Sequence, residues 1–354
     1  MAENRKKRIL AAMSGGVDSA VTALLLRERG YECEGVTMVL LREGAEENAE
    51  DAKSVADALG IPFRASDFCD AFEKQVIKPF AACYERGETP NPCIECNCFL
   101  KFGALSALAK AEGFDAVATG HYARVEEKDG RFLLKKARDE SKDQSYVLYK
   151  LTQEQLAHAM FPLGEYTKAE VREIAEKHGF TNAHKKESQD ICFVPDGDYA
   201  GFIERLTGRT YPAGEFVATD GRVLGTHKGI IHYTVGQRKG LGLALPEPYY
   251  VCGKDVERNR VVLCPAAELR TDELIAKDFN WVSVPPQTVG ETLRVTVRTR
   301  YHQKEQPALL TVLEGNRVHV KFDTPCAVCA PGQSAVAYDG ECVVGGGTIE
   351  PKEK

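Results

Sequence analysis

Two adjacent glycines near the N-terminus constrain the fold of this 354-residue chain more than any other feature. They lie in Met13-Ser14-Gly15-Gly16-Val17-Asp18-Ser19, between an apolar run at 9–12 and a segment at 20–27 whose apolar residues recur at helical spacing. This order predicts a strand, a tight turn and a helix. Glycines permit positive φ, and successive N–H groups at a helix N-terminus bind anions. The stretch therefore predicts a phosphate site.

The side chains of this loop suit the same ligand. Ser14 and Ser19 add hydroxyl donors, and Asp18 is placed either to hold Mg²⁺ or to cap the helix that begins here. A capped turn without a ligand is the structural alternative, but six consecutive residues suited to phosphate favour binding. The loop lacks the lysine of G-x-x-x-x-G-K-[ST], and its glycine spacing differs from G-x-G-x-x-G.

The first 200 residues alternate apolar runs with helical patterns, which predicts an α/β domain with a doubly wound parallel sheet. Ligands of such sheets bind beyond the carboxyl ends of the strands, where the glycine loop already lies. Thr167-Lys168-Ala169-Glu170 has the form of a capping box and predicts a helix that runs to His178.

The residue pattern of the chain changes near residue 200 and again near residue 269. Glycines and short β-prone runs dominate the middle part, and cleanly alternating strands dominate the last part, as in residues 293–298. We therefore expect domains at 1–200, 201–268 and 269–354. The second is a small β-rich domain and the third an antiparallel β-barrel.

Composition narrows the class of protein. The net charge of −6 argues against binding nucleic acid through overall charge, although local basic patches occur. No apolar run approaches the roughly 20 residues of a membrane helix, so we expect a cytoplasmic protein without a membrane partner. Twelve cysteines are too few for a disulfide scaffold in a chain of this length.

Two Cys-x-x-Cys pairs stand out. Cys93 and Cys96 follow two prolines at the start of a predicted helix, where the helix dipole is expected to lower a thiol pKa below about 8.5. A redox pair, half a metal site and chance all remain open for this pair. The second pair, Cys326 and Cys329, has unlike flanks in the β region, and we interpret it as structural.

Seven segments in order carry a family resemblance. They are Ser-Gly-Gly-Val-Asp-Ser, Thr-Pro-Asn-Pro-Cys-Ile-Glu-Cys-Asn, Ala-Thr-Gly-His-Tyr, Lys-Asp-Gln-Ser-Tyr, Ser-Gln-Asp-Ile-Cys-Phe, Gly-Gln-Arg-Lys-Gly-Leu-Gly and Ala-Pro-Gly-Gln-Ser. Over nearly the full length the chain resembles the bacterial tRNA 2-thiouridylases. The first segment resembles the loop of the ATP pyrophosphatase superfamily, whose members cleave ATP between its α and β phosphates.

The resemblance implies an ATP-dependent sulfurtransferase acting on the wobble uridine of Lys, Glu and Gln tRNAs. ATP, with Mg²⁺, would adenylate the uracil C2 oxygen and release pyrophosphate. Sulfur would arrive as a persulfide on Cys192, delivered by a cysteine desulfurase or a sulfur carrier protein. Cys96 would be the second catalytic thiol, which either frees sulfide or resolves a disulfide with Cys192. A monomer on tRNA is expected.

The same resemblance assigns further residues one by one. Met38 and Gly120 join residues 13–19 in the ATP site, and Asn91, Pro92 and Cys93 are expected to touch the target base. Seven residues match positions that contact tRNA: His121, Lys142, Asp143, Gln144, Arg300, Tyr301 and Gln333.

Cys93 departs from the family pattern, because some members carry aspartate there, which puts a general-base role at this position in doubt. A third thiol opens the alternative that Cys93, Cys96 and Cys192 hold a [4Fe-4S] cluster. Cys98 matches no role. Another superfamily reaction, an amidotransferase or ligase acting on a small carbonyl compound, is the alternative from a different class. The contexts of the two reactive cysteines disfavour it.

Overall fold

The computed structural model describes residues 5–42, 45–180, 182–183 and 191–352. Its strands are β1 (Arg8–Ala12), β2 (Glu32–Val39), β3 (Phe63–Asp67), β4 (Ala116–Ala118), β5 (Ala123–Lys128), β6 (Arg131–Lys136), β7 (Ala159–Met160), β8 (Gly214–Ala218), β9 (Val223–His227), β10 (Tyr249–Asp255), β11 (Arg260–Pro265), β12 (Arg270–Trp281), β13 (Thr292–Arg298), β14 (Gln306–Leu313), β15 (Arg317–Ala327), β16 (Ser334–Asp339) and β17 (Cys342–Ile349).

Helices lie mainly in the first half of the chain. The α-helices are α1 (Val17–Glu28), α2 (Ala45–Leu59), α3 (Cys69–Phe72), α4 (Lys78–Glu85), α5 (Pro92–Glu95), α6 (Leu105–Ala111), α7 (Gln153–Ala157), α8 (Lys168–Lys177) and α9 (Tyr199–Thr207). Two segments are π-helical, Glu73–Ile77 and Cys96–Ala104, and three are short 3₁₀ turns, Ser145–Leu148, Pro162–Glu165 and Ile230–His232. Within the described ranges, no helix is both long enough and apolar enough to cross a bilayer.

The first sheet confirms the predicted α/β fold. Its strands are all parallel and run in the order β3-β2-β1-β4-β7, so successive connections turn outward from β1 in both directions. β1 lies at the centre because its apolar run is covered on both faces, and Ile9 and Leu10 are fully buried. The glycine loop leaves β1 at this reversal of strand order, which is the usual ligand site of such sheets.

Two further sheets follow. The middle one has the order β10-β11-β8-β9. The last one contains a barrel in the order β12-β15-β14-β13-β16-β17, closed by pairing of β12 with β17. This closed antiparallel barrel confirms the predicted C-terminal architecture.

A hairpin from the first half of the chain joins the barrel. β5 and β6 pair with each other, and Lys135 of β6 pairs with Cys342 of β17. Asp129 and Gly130 form the hairpin turn, both at positive φ. Asp-Gly is a strong hairpin signal, although no hairpin was predicted at this position.

Two capping boxes occur among the described helices, and both lie in the α/β region. Thr167 and Glu170 form the predicted box at the start of α8. A second box at Thr152 and Gln155 begins α7 and was not anticipated. These caps satisfy N–H groups that a helix leaves unpaired at its first turn.

Candidate phosphate loop and thiol cluster

The glycine loop is held in a curve by its own hydrogen bonds. Gly15 has φ of +74°, which favours glycine, and Gly16 is the N-cap of α1. The Ser19 hydroxyl donates to the Gly16 carbonyl over 2.9 Å and accepts from the Ser14 N–H over 3.2 Å. These hydrogen bonds stabilise the turn, and the N–H groups of the first turn of α1 lie at its mouth.

Asp18 is engaged by residues that sequence reasoning missed. Each of its carboxylate oxygens lies 2.8 Å from the Lys168 ammonium, and the Tyr122 hydroxyl donates to one of them over 2.7 Å. The alternative role of Asp18 as helix cap is wrong, because Gly16 occupies that position and no side chain caps it. The predicted Mg²⁺ at Asp18 stays a prediction.

The other ATP-site residues surround the loop. Gly120 lies against its backbone, and an added Cβ there would come within 3.0 Å of the Asp18 carbonyl carbon. Met13 and Val17 are buried, and the Thr37 hydroxyl fixes the Met13 carbonyl over 2.7 Å. Met38 is half-buried near the carboxyl end of β2. Their contacts with ATP stay predictions.

The three thiols come from two distant segments. Cys93 lies in α5, whose N-cap Asn91 accepts the Cys93 N–H over 3.2 Å, and buried Cys96 opens the π-helical segment Cys96–Ala104. Cys192 is exposed beside buried Phe193, whose ring packs edge-on against Phe72 and Phe80 at 5.6 and 5.2 Å. Cys96 and Phe193 belong to one apolar cluster, so this packing brings Cys192 to the other two thiols.

The electrostatics of the thiols correct the sequence reading. Loss of water contact raises the pKa of Cys93 and of Cys96, although part of Cys93 is exposed. The pKa of Cys192 rises to about 11, first through desolvation and then through the negative charges of Cys96 and Cys93. The lowered pKa expected at the helix start is wrong, because desolvation is the largest influence on the pKa of each thiol and disfavours the charged thiolate.

Lys101 is the cation that opposes this effect. Its charge lowers the pKa of all three thiols, which places the side chain within electrostatic range of each. It follows Cys96 by five residues, and five is the hydrogen-bond spacing of a π-helix, a conformation often found at functional sites. The signal in the sequence was a lone lysine inside the apolar run Cys-Phe-Leu-Lys-Phe.

A metal centre does not fit the thiols as they are placed. In the described part of the chain, no three His, Cys, Asp or Glu side chains are grouped closely enough to hold a metal ion. The cysteines predicted as cluster ligands, Cys93, Cys96 and Cys192, thus do not form a ligand set here. Cys98 is buried and its thiol donates to the Lys150 carbonyl over 3.7 Å, a structural contact.

Two of the residues expected at tRNA lie inside the protein. His121 is 7% exposed, hydrogen bonds to the Thr119 hydroxyl over 2.7 Å and packs against Phe161, and burial lowers its pKa well below the usual value. Asp143 is 5% exposed and pairs with Arg298 over 3.0 Å. Both side chains are committed to internal contacts, and a direct contact with RNA stays a prediction for them.

The remaining residues of that set lie nearer the surface. Arg300 is exposed, and Lys142, Gln144, Tyr301 and Gln333 are half-buried. Tyr301 lies near Cys93, whose charge contributes, after burial and Asp143, to raising the Tyr301 pKa to about 12. The Gln333 amide donates to the Thr89 carbonyl over 2.8 Å, so the barrel contacts the segment that leads to Asn91.

Comparison with known proteins decides the family. The family model of the tRNA methyl transferase HUP domain matches residues 7–196, that of the tRNA methyl transferase PRC-barrel domain residues 200–265, and that of the aminomethyltransferase beta-barrel domain residues 271–349. The tRNA-specific 2-thiouridylase MnmA of Acetivibrio thermocellus is 48% identical over 98% of this chain and 99% of its own. That of Moorella thermoacetica is also 48% identical, over 96% of this chain and 99% of its own.

The chain belongs to the tRNA-specific 2-thiouridylase family. This confirms the resemblance carried by the seven segments. Membership in the 2-thiouridylase family also agrees with the parallel sheet and the closed barrel seen in the structure.

Proposed function

We propose that this protein is an ATP-dependent sulfurtransferase that converts the wobble uridine of Lys, Glu and Gln tRNAs to 2-thiouridine. One observation carries the proposal: a hydrogen-bonded glycine loop at a helix N-terminus shares the α/β domain with three thiols that folding gathers from two distant segments. The loop suits activation of an oxygen by ATP, and the thiols suit its replacement by sulfur.

In the first step the uracil C2 oxygen attacks the α phosphorus of ATP. A P–O bond forms, the bond to the β phosphate breaks, and pyrophosphate leaves. The loop at 13–19 would hold the departing phosphates through its N–H groups and the Ser14 and Ser19 hydroxyls. Lys168, already at Asp18, adds positive charge at the same place. Asp18 would be the residue to hold Mg²⁺, which would supply positive charge opposite the ATP phosphates.

In the second step sulfur displaces AMP. The terminal sulfur of a Cys192 persulfide, supplied by a cysteine desulfurase or a sulfur carrier, attacks C2, and the C2–O bond to AMP breaks. The Cys96 thiolate then attacks the Cys192 sulfur, which releases 2-thiouridine and leaves a Cys96–Cys192 disulfide. Two electrons from an external thiol reductant return the pair to thiols before the next cycle.

Lys101 acts on this second step. Because only thiolates are nucleophilic and all three pKa values are raised, the thiols are mostly protonated near neutral pH. The Lys101 charge stabilises each thiolate and thereby increases the reactive fraction. No step is assigned to an iron-sulfur cluster, because the described thiols do not form its ligand set.

The tRNA is proposed to reach the site between the first domain and the barrel, with one protein molecule per tRNA in the cytoplasm. Tyr301 lies near Cys93, and the Gln333 amide donates to the Thr89 carbonyl. These two residues therefore lie beside the segment 89–93, which supports a target base at Asn91, Pro92 and Cys93. A uridine must leave the anticodon stack before its C2 oxygen is accessible.

The test is reconstitution. The protein is incubated with ATP, Mg²⁺, a cysteine desulfurase, cysteine and unmodified tRNA, and the digested RNA is examined by mass spectrometry. We expect 2-thiouridine together with one AMP and one pyrophosphate per modified base. Failure to form 2-thiouridine in any of the three tRNAs would refute the proposal. Active protein purified without air and shown to lack iron would confirm that no cluster is required.

A further inference from the structure

The second Cys-x-x-Cys pair lies outside the thiol cluster and is not used in the proposed reaction. Cys326 is the last residue but one of β15 and lies opposite Thr271, and Cys329 lies in the loop that leads to β16. Both thiols are free, and each residue is 8% exposed. The Cys326 thiol hydrogen bonds to the Cys329 sulfur, and the Cys329 thiol donates to the Ala327 carbonyl over 3.6 Å.

The two sulfurs are electrostatically unequal. The hydrogen bond from Cys326, the Thr299 hydroxyl and the charge of Arg300 together lower the pKa of Cys329. The same hydrogen bond and burial raise the pKa of Cys326. Such asymmetry is typical of dithiols in which one sulfur attacks a disulfide and the other closes the ring.

The loop that carries Cys329 also holds the segment before Asn91. The Thr89 N–H donates to the Pro331 carbonyl over 2.8 Å, and Gln333 donates to the Thr89 carbonyl over 2.8 Å. Gly332, at φ of +85°, allows this approach, since an added Cβ would lie 2.9 Å from the Thr89 nitrogen. We call these two hydrogen bonds the Thr89 clamp.

We propose that Cys326 and Cys329 are a thiol–disulfide exchange site for small-molecule disulfides such as oxidised glutathione, and that its oxidation state controls the Thr89 clamp. The Cys326 thiol interacts with the Cys329 sulfur, and a bond of about 2.05 Å requires the two sulfurs to approach further. That approach removes the hydrogen bonds of Cys329 to Ala327 and Thr299. Pro331 lies two residues further along the loop and shifts with it.

The exchange balances without another reactant. The Cys329 thiolate attacks one sulfur of oxidised glutathione, and one glutathione thiolate leaves. Cys326 then loses its proton, and its sulfur displaces the second glutathione. The protein dithiol is oxidised by two electrons, and one glutathione disulfide is reduced to two thiols.

The first test is a redox titration of the folded full-length protein. The protein is equilibrated at graded ratios of reduced to oxidised glutathione, quenched in acid, blocked with N-ethylmaleimide and digested, and the peptide containing both cysteines is weighed. We expect an unlabelled peptide that is lighter by two hydrogen atoms than the unlabelled dithiol peptide. Its fraction should change with the glutathione ratio around a single midpoint while the protein stays folded. A peptide that stays reduced at every ratio, or that carries only glutathione on one cysteine, would overturn the proposal.

The second test reads the clamp by amide hydrogen exchange. Oxidation should speed exchange of the Thr89 amide by about tenfold and leave the Gly87 amide, which donates to Tyr84 within the first domain, unchanged. Equal Thr89 exchange in the oxidised and reduced protein would overturn the coupling. Neither test measures thiolation of tRNA, so failure of this proposal can be distinguished from failure of the proposed function.

Matched variants identify the pair responsible. Cys252 and Cys264, another pair of hydrogen-bonded thiols, lie in the middle sheet. The Cys252→Ser/Cys264→Ser variant should keep the glutathione response, and the Cys326→Ser/Cys329→Ser variant should lose it. If the latter does not fold, Cys326→Ser alone should give only the glutathione adduct on Cys329. A light peptide or an unmodified Cys329 in that variant would contradict the assignment.

Discussion

The phosphate loop is shaped by hydrogen bonds within residues 13–19 together with contacts from Thr37 and Asn182, whereas the thiols gather from two segments that only the tertiary fold brings together. At the loop, Lys168 neutralises the Asp18 carboxylate. The thiols are held in place but are mostly protonated, because loss of water contact raises the pKa of Cys96 and, together with the neighbouring thiolate charges, that of Cys192. In the proposed reaction, therefore, the sulfur-transferring thiols must lose a proton before they react, whereas the loop proposed to bind the phosphates carries no such requirement.

Replacing Cys192 should have the largest effect, because it should stop sulfur transfer and leave ATP binding intact. Cys192→Ala should lower thiolation by about a thousandfold or more, because no persulfide can form, while ATP affinity stays unchanged. Thiolation is measured by mass spectrometry of digested tRNA and ATP affinity by calorimetry. Cys98→Ala is the control, since its thiol makes a structural contact with Lys150, and this variant should keep activity. Loss of ATP binding in Cys192→Ala would mean that Cys192 supports the fold.

The protonation difference predicts a steep pH dependence. Below a pKa of about 11 the thiolate fraction of Cys192 grows about tenfold per pH unit, so its alkylation by iodoacetamide should rise several hundredfold between about pH 7 and pH 9.5 without levelling. The rate at Cys192 is followed by peptide mass spectrometry. In urea the same thiol regains a pKa near 8.5, and its rate should begin to level within this range. Early levelling in the folded protein would contradict the raised pKa.

The same contrast explains what the sequence allowed us to predict. The loop, α1 and the capping box at Thr167 depend on neighbouring residues, and their patterns were readable. Lys168 was recognised as part of that box but not as the partner of Asp18, because the two are 150 positions apart. The pKa direction of the thiols was predicted wrongly, because the dipole of α5 is a local property and desolvation is a tertiary one.

The partners of buried polar groups were likewise not predictable from the neighbouring sequence. The segment containing Asp143 matched the family pattern, yet its side chain accepts hydrogen bonds from Ala137 and Ser145 and pairs with Arg298 of the barrel. The barrel itself was predictable from alternating residues. Its hairpin extension through Lys135 and Cys342 was not, because a strand pattern does not name its partner strand.

Breaking the loop's ion pair should have an intermediate effect. Lys168→Met leaves the Asp18 carboxylate with the Tyr122 hydroxyl but without the Lys168 ammonium, and should lower the free energy of unfolding by about 2 kcal/mol, since the pair is only partly buried. ATP affinity should fall by about tenfold, because an unneutralised carboxylate repels phosphate. Urea unfolding and calorimetry measure the two effects. Lys168→Arg should recover most of both, and unchanged stability in Lys168→Met would show that the loop does not need this pair.

Removing Lys101 should have the smallest effect and should be confined to the thiols. Without its charge the pKa of Cys192 rises further, by up to about one unit, so alkylation of Cys192 at pH 8 should slow by up to about tenfold in Lys101→Met. The whole rate profile should shift to higher pH while ATP affinity stays constant. Lys101→Arg keeps the charge and should restore the profile, which a packing role would not predict. If Arg and Met at this position react equally slowly, Lys101 supports the π-helical segment and does not tune the thiols.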